Sequence, residues 1–206
     1  MDTLEKYCKK LKLGSEILEE YESISLGDKK DFLTNVLEIS INSQDTRRKN
    51  RLIAEAKFDV VKTFEGYCFD DIQLPEGLNL EEIKTGNFIE KSHNLIFYGS
   101  VGTGKTYLTT AIGVEACNQG KRVKFFKVAT LINELIDAYN KATLGRFLKN
   151  LKKYDLIILK VLQCCSKYTL FLISVKTLNQ YLKLSLAPTQ SPRTSFAPSI
   201  FTPIAT

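Results

Sequence analysis

Apolar residues recur along this chain in two rhythms. Up to about residue 60 they fall three and four positions apart, the spacing of a helix face. Leu4, Cys8 and Leu11 share one face of a helix over 2–13. Asp28 can cap a second helix, with Phe32, Val36 and Ile39 on one stripe and Leu33 and Leu37 beside it. A third helix is expected from about Asp45 to Phe58, with Leu52, Ile53 and Ala56 inward. From residue 94 the rhythm changes. Asn94-Leu95-Ile96-Phe97-Tyr98, Arg122–Val128 and Asp155–Leu159 are short apolar runs suited to buried strands. Helical patterns separate them. One carries Leu108, Ala111, Ile112 and Cys117 and is closed by Gly120; another carries Leu131, Leu135, Ile136 and Tyr139 behind Thr130 as a cap; a third runs from Leu144 to Lys153 with Phe147, Leu148 and Leu151 inward. Strands alternating with helices imply right-handed crossovers and a mainly parallel sheet. On pattern alone the chain divides into a helical N-terminal module at 1–60, a connector at 61–90, an α/β core at 91–159 and a tail at 160–206.

Between the first strand and its helix stands Gly99-Ser100-Val101-Gly102-Thr103-Gly104-Lys105-Thr106, the G-x-x-x-x-G-K-[ST] pattern of a P-loop. The glycines allow a tight loop whose backbone N–H groups turn inward around phosphate oxygens. Lys105 can reach the β- and γ-phosphates of a nucleotide, which makes it the candidate catalytic cation as well as a binding residue. The Thr106 hydroxyl can ligate Mg²⁺, which prefers oxygen donors. The helix that starts near Lys105 adds its positive end to the anion site. Strand, glycine loop and helix follow one another as this motif requires, so the fold class is read as α/β with a P-loop NTPase sheet.

Composition narrows the field. No run of 18 apolar residues occurs, so no membrane span is expected. Met1 to Leu13 is charged and lacks a signal-peptide core, which gives a cytoplasmic location as the expectation. The five cysteines, Cys8, Cys68, Cys117, Cys164 and Cys165, show no C-x-x-C spacing and read as reduced thiols. His93 is the only histidine, which argues against a histidine metal site or a Ser-His triad; it is expected just ahead of a strand. The net charge of +6 invites a nucleic-acid reading. Its distribution weakens that reading, because residues 160–206 hold five basic residues and no acidic one, leaving the rest near neutrality. Arg47, Arg48, Lys49, Arg51 and Lys57 line the outer face of the third helix. They can meet DNA phosphates or form a solvated helix face, and spacing alone leaves both open. In the connector, Phe64, Tyr67 and Phe69 can pack on the core or approach a nucleotide base.

Taken together, several stretches resemble the AAA+ ATPases of the IstB and DnaC kind, with the IstB branch fitting best. They are Lys62-Thr63-Phe64-Glu65, the P-loop from Tyr98 to Thr106, Leu108 to Gly120, Val123-Lys124-Phe125-Phe126, Leu131-Ile132-Asn133-Glu134-Leu135 and Tyr154 to Leu159. The resemblance covers about residues 3–159. It implies ATP binding and hydrolysis with Mg²⁺, assembly into homo-oligomers around double-stranded DNA, and delivery of that DNA to a transposase. A helicase loader is the neighbouring alternative.

The resemblance breaks at Leu159. In that family the third strand ends in an Asp-Glu pair, the Walker B carboxylates that hold Mg²⁺ and polarise the attacking water. Here the corresponding positions carry Lys160 and Val161. Asp155 lies at the opposite end of the strand, about 16 Å away, and is the last acidic residue of the chain. Hydrolysis is therefore expected to be impaired, and a non-hydrolysing binding module or a non-functional remnant stays open. The next 47 residues contain no Asp, Glu or Gly, twelve Ser or Thr, and four of the five prolines. A tail translated in a shifted frame is the simplest account; a genuine, unusual tail is the alternative. The family's sheet order, 5-1-4-3-2, would place two missing strands beside the P-loop strand, one of them filling the gap before strand three. Tyr168–Val175 has the apolar, β-branched character of a filler. Tyr181–Leu186 reads as a short strand or helix, and 187–206 is expected to be disordered from its Pro, Ser and Thr content.

Overall fold

The computed structural model of the chain describes residues 3–24, 28–70, 72–100, 102–161, 167–174 and 201–205. The chain forms two compact units, Met1–Arg51 and Leu52–Thr206.

The first unit is helical. It holds α1 (Thr3–Leu11), α2 (Glu16–Glu20) and most of α3 (Lys29–Ala56). Cys8 and Ile17 are buried, whereas Leu33 and Leu37 stand exposed beside the half-buried Phe32, Val36 and Ile39. Asp28 sits just ahead of α3, where its carbonyl accepts the Phe32 N–H at 3.0 Å. The helix expected from Asp28 and the one expected from Asp45 prove to be one element of 28 residues. Residues 40–44 join them and contain neither Gly nor Pro, so nothing stops the i to i−4 ladder there.

The second unit is an α/β layer structure. The end of α3 contributes Leu52 and Ala56 to its core. The connector is more ordered than its punctuation implies. It contains α4 (Leu80–Thr85) and α5 (Asn87–Glu90). Asn79 caps α4 by accepting the Glu82 N–H at 2.7 Å, and Gly86 ends it in the left-handed region at φ 70°. Then come β1 (Asn94–Ser100), α6 (Lys105–Asn118), β2 (Val123–Lys127), α7 (Val128–Asn140), α8 (Leu144–Leu151) and β3 (Leu156–Val161). His93 stands immediately before β1, as expected. Thr130 lies inside the first turn of α7 rather than at its cap, because that helix starts directly from β2. The third strand runs past Leu159, so Lys160 and Val161 are strand residues.

Alternate residues of the strands pack on opposite sides. Leu95, Phe97, Phe125, Leu156 and Ile158 join Leu108, Ile112 and Cys117 of α6 in one buried cluster. Phe126, Leu151 and Ile157 form a second, smaller cluster with the half-buried Leu131 and Phe147. Each large side chain fully removed from water, such as Phe97 or Leu108, contributes about 1.5–3 kcal/mol. Residues 108 to 114 of α6 are all buried, so this helix has no solvent face over two turns.

The sheet order is β2-β3-β4-β1-β5, where β4 is Lys167–Ser174 and β5 is Phe201–Ala205. β2 and β3 pair in parallel, as do β1 and β5. β4 fills the gap between β1 and β3, as expected for the 168–175 run, and it is antiparallel to both. Its register places Leu172 between Leu95 and Ile158. The expectation of disorder over 187–206 fails at β5, which takes the other side of β1. Pro203 is tolerated there because β5 is an edge strand with one ladder to satisfy. The Tyr181–Leu186 run and residues 187–200 lie outside the described residues.

Candidate nucleotide site

The sequence places its anion-binding loop at the carboxyl end of β1, where a parallel α/β sheet opens a crevice for ligands. Gly102 and Gly104 adopt φ 90° and 78°, values open to glycine and strained for other residues. Gly104 occupies the N-cap of α6, so that helix points its free N–H groups at the loop. Val101 lies outside the described residues. Lys105 opens α6 and is 4 % exposed. Its ammonium donates to the Ser100 carbonyl and to Thr103 Oγ1, the latter at 2.9 Å, so the loop closes on the lysine. Thr103 Oγ1 also donates to the Ser100 carbonyl at 3.0 Å. Burial lowers the Lys105 pKa from its ordinary value. An anion entering this loop would restore the missing counter-charge. Thr106 is exposed at the second position of α6.

The connector reaches this loop. A Cβ at Gly104 would meet the Tyr67 ring at 3.0 Å. Tyr67 packs on Tyr107, with ring centroids 5.2 Å apart, and against Phe69 edge-on at 4.9 Å. The Tyr107 hydroxyl donates to the Glu65 carbonyl at 2.9 Å, and the Lys62 ammonium lies over the Tyr107 ring. Of the two readings for Phe64, Tyr67 and Phe69, packing is what the structure displays, and Tyr67 packs against the loop itself. Tyr107 was not singled out by its sequence context. It follows the motif by one residue, and its partner Glu65 is 42 residues away.

At the far end of β3 the charge is reversed from what a P-loop enzyme uses. Lys160 stands in register with Lys127 of β2. Both ammonium groups are held by Asp59, at 3.5 Å and 2.9 Å. The Lys127 hydrogen bond is the main cause of a lowered Asp59 pKa. Asp59 carries no motif signal, and only the fold brings it to the two strand ends. Asp155 sits at the opposite end of β3, where it accepts the Arg122 N–H at 2.7 Å. The residues present therefore do not fit a resident Mg²⁺. Such an ion takes one or two carboxylates besides phosphate oxygens, whereas here Thr106 stands without a partner carboxylate at the end of β3. Among the described residues no cluster of His, Cys, Asp and Glu has the makings of a metal site.

A separate cleft of about 380 Å³ opens beside β2, with Lys57, Lys124, Lys127, Asp59 and Glu134 in its lining. Charges of both signs share it, so no ligand class is singled out. Cys68 is exposed and its thiol donates to Asp70 at 3.0 Å, whereas Cys117 is buried and its pKa is pushed up to about 12 by loss of water. Cys164 and Cys165 lie outside the described residues. In the first unit, Arg47 is engaged by Glu16 at 3.0 Å, and Ser43 donates to the same carboxylate at 2.8 Å. Arg48, Lys49 and Arg51 are exposed on α3.

A mainly α/β core with a glycine loop between the first core strand and a buried helix defines a P-loop nucleotide-binding protein. Comparison with known families is more specific. Residues 12–164 match the family of IstB-like ATP binding proteins, and the chain belongs to that family. Among its relatives is an insertion sequence IS1162 protein of Pseudomonas fluorescens, named for ATP binding, which is 31% identical over 56% of this chain and 51% of its own length. A similarly named IS5376 protein of Geobacillus stearothermophilus is 28% identical over 77% of this chain and 65% of its own. The chromosomal replication initiator DnaA of Mycoplasma genitalium is 26% identical over 71% of this chain and 33% of its own length. The chain spans about half the length of several insertion-sequence relatives it matches. Among the described residues no helix is long and apolar enough to cross a membrane.

Proposed function

We propose that this chain binds ATP and acts as a transposition helper that turns nucleotide over poorly. The observation that carries the reading is the loop itself, with Gly104 at the N-cap of α6 and a buried Lys105 ammonium waiting inside it. Gly99 to Thr106 would hold the phosphates through main-chain N–H groups and Lys105. Lys105 would also stabilise charge on a transferring phosphoryl group, but Lys160 and Val161 supply neither a metal ligand nor a group to orient water. Binding without efficient hydrolysis follows from that inventory. The insertion-sequence relatives favour a DNA-related role, and the proposal sets that role in the cytoplasm. The partners of the proposal are double-stranded DNA, met by Arg48, Lys49 and Arg51 with Arg47 bracing the face, a transposase, and further copies of the chain.

The test is a thermal melt of the purified chain with and without ATP, alongside phosphate release. ATP should raise the melting temperature, Lys105→Ala should abolish the rise, and phosphate release should stay near background. No shift with ATP would overturn the reading; turnover that Lys105→Ala abolishes would overturn the poor-hydrolysis part. For DNA, replacing Arg48, Lys49 and Arg51 together by Ala should weaken duplex binding and flatten its salt dependence by about two to three counterions. An unchanged slope would remove that face from the proposal.

A further inference from the structure

We infer that this P-loop takes its nucleotide as the metal-free polyphosphate anion, so that Mg²⁺ adds nothing to binding. The inference rests on the nucleotide reading above and concerns what accompanies the phosphates. Register fixes where the relevant positions stand. Lys160 and Phe97 both oppose Leu170 of the intervening β4, which puts the two strands' backbones about 10 Å apart at that level. Phe97 is two residues ahead of Gly99, the first residue of the loop. Ile158 and Phe97 belong to the cluster on α6, and the two-residue alternation of β3 sets Lys160 on the same face as Ile158. The end of β3 thus presents an ammonium on the side of the sheet where the P-loop helix lies.

Three further facts bear on the metal. Lys160 is an ammonium with only donors, so it has no lone pair for a cation. Asp59, the carboxylate that meets the end of β3, already binds Lys127 and Lys160 and has both oxygens engaged. No acidic residue follows Asp155 in the sequence. A Mg²⁺ ion carried in on ATP would have the Thr106 hydroxyl, but from the end of β3 it would meet the Lys160 ammonium in place of a carboxylate. Metal-free ATP carries more negative charge, which suits the Lys105 ammonium and the α6 terminus. The two forms should therefore bind alike, or the free anion slightly better.

The experiment titrates the full chain with a fluorescent ATP analogue, once in excess EDTA and once in excess Mg²⁺. The expected dissociation constants agree to within about threefold. A tightening of about tenfold or more by Mg²⁺ overturns the inference while leaving the nucleotide reading intact. Absence of binding in both buffers overturns the nucleotide reading and this inference with it. Lys160→Asp provides the converse arm. With a carboxylate at the end of β3, Mg²⁺ should now tighten binding by about tenfold, provided circular dichroism and the melt match the parent chain. Lys160→Met is the control and should remain indifferent to Mg²⁺. A Lys160→Asp chain that folds and stays indifferent removes Lys160 as the cause and overturns the assignment.

Discussion

Gly104 shows how much a single residue holds here. Its φ of 78° strains any side chain, and a Cβ would press on Tyr67 at 3.0 Å. Gly104→Ala should therefore cost nucleotide binding at least tenfold, while the fold, measured by circular dichroism, stays intact. Asp59 makes a prediction about pH. Its folded pKa lies below the ordinary value of 3.8, so its contribution is complete above that value. It is lost as pH falls through the lower, folded pKa. Asp59→Asn should lower stability at pH 7 by about 1 kcal/mol or less, because the pair is partly exposed. The difference between the two chains should shrink below about pH 4, as followed by denaturant melts across that range. A difference that persists in acid would mean Asp59 acts through packing rather than charge.

At the scale of elements, α6 and β4 carry the most. The backbone at Gly113 of α6 lies close to both Phe58 and Ile158, where a Cβ would come within 2.7 and 2.8 Å. Gly113→Ala should destabilise the second unit by about 1–3 kcal/mol through overpacking, read as a lower denaturant midpoint with an unchanged slope. β4 has a ladder on each side, so it tolerates no missing N–H. Phe171→Pro should abolish the cooperative melt of the unit; Pro203 of β5, which pairs with the same Ile96 from the other side, is already a proline at the edge. The elements themselves were largely legible from the sequence. β1, α6 and β2 combine apolar runs with glycine punctuation, β3 is an apolar run behind Asp155, and each is found within one or two residues of its expected bounds. α4 and α5 were hidden because six and four residues are too few to display a period. The joined α3 was hidden because a polar stretch at 40–44 resembles a break until the ladder is seen to continue.

Across the whole molecule, what the sequence conveyed was the order of parts, and what it withheld was their pairing. The P-loop could be read residue by residue because its chemistry is local. Tyr67 against Gly104, and Asp59 between Lys127 and Lys160, are contacts across 37, 68 and 101 positions that no spacing rule encodes. The same limit applies to the sheet. The run at 168–175 announced a strand but not its direction, and β5 was masked by a proline that only its edge position explains. The missing carboxylates were the most legible feature of all, since an acidic residue absent from the sequence cannot be supplied by folding.

The placing of β4 has a consequence for the chain's birth. β1 leaves the ribosome about 70 residues before its neighbour β4 and about 100 before β5. At roughly 5–20 residues per second, β1 waits some 4–14 s for β4. Until then this interior strand displays two bare edges, the form most prone to capture by another nascent chain. Synthesis rate and chaperone supply should thus govern the yield of this protein more than its final stability does.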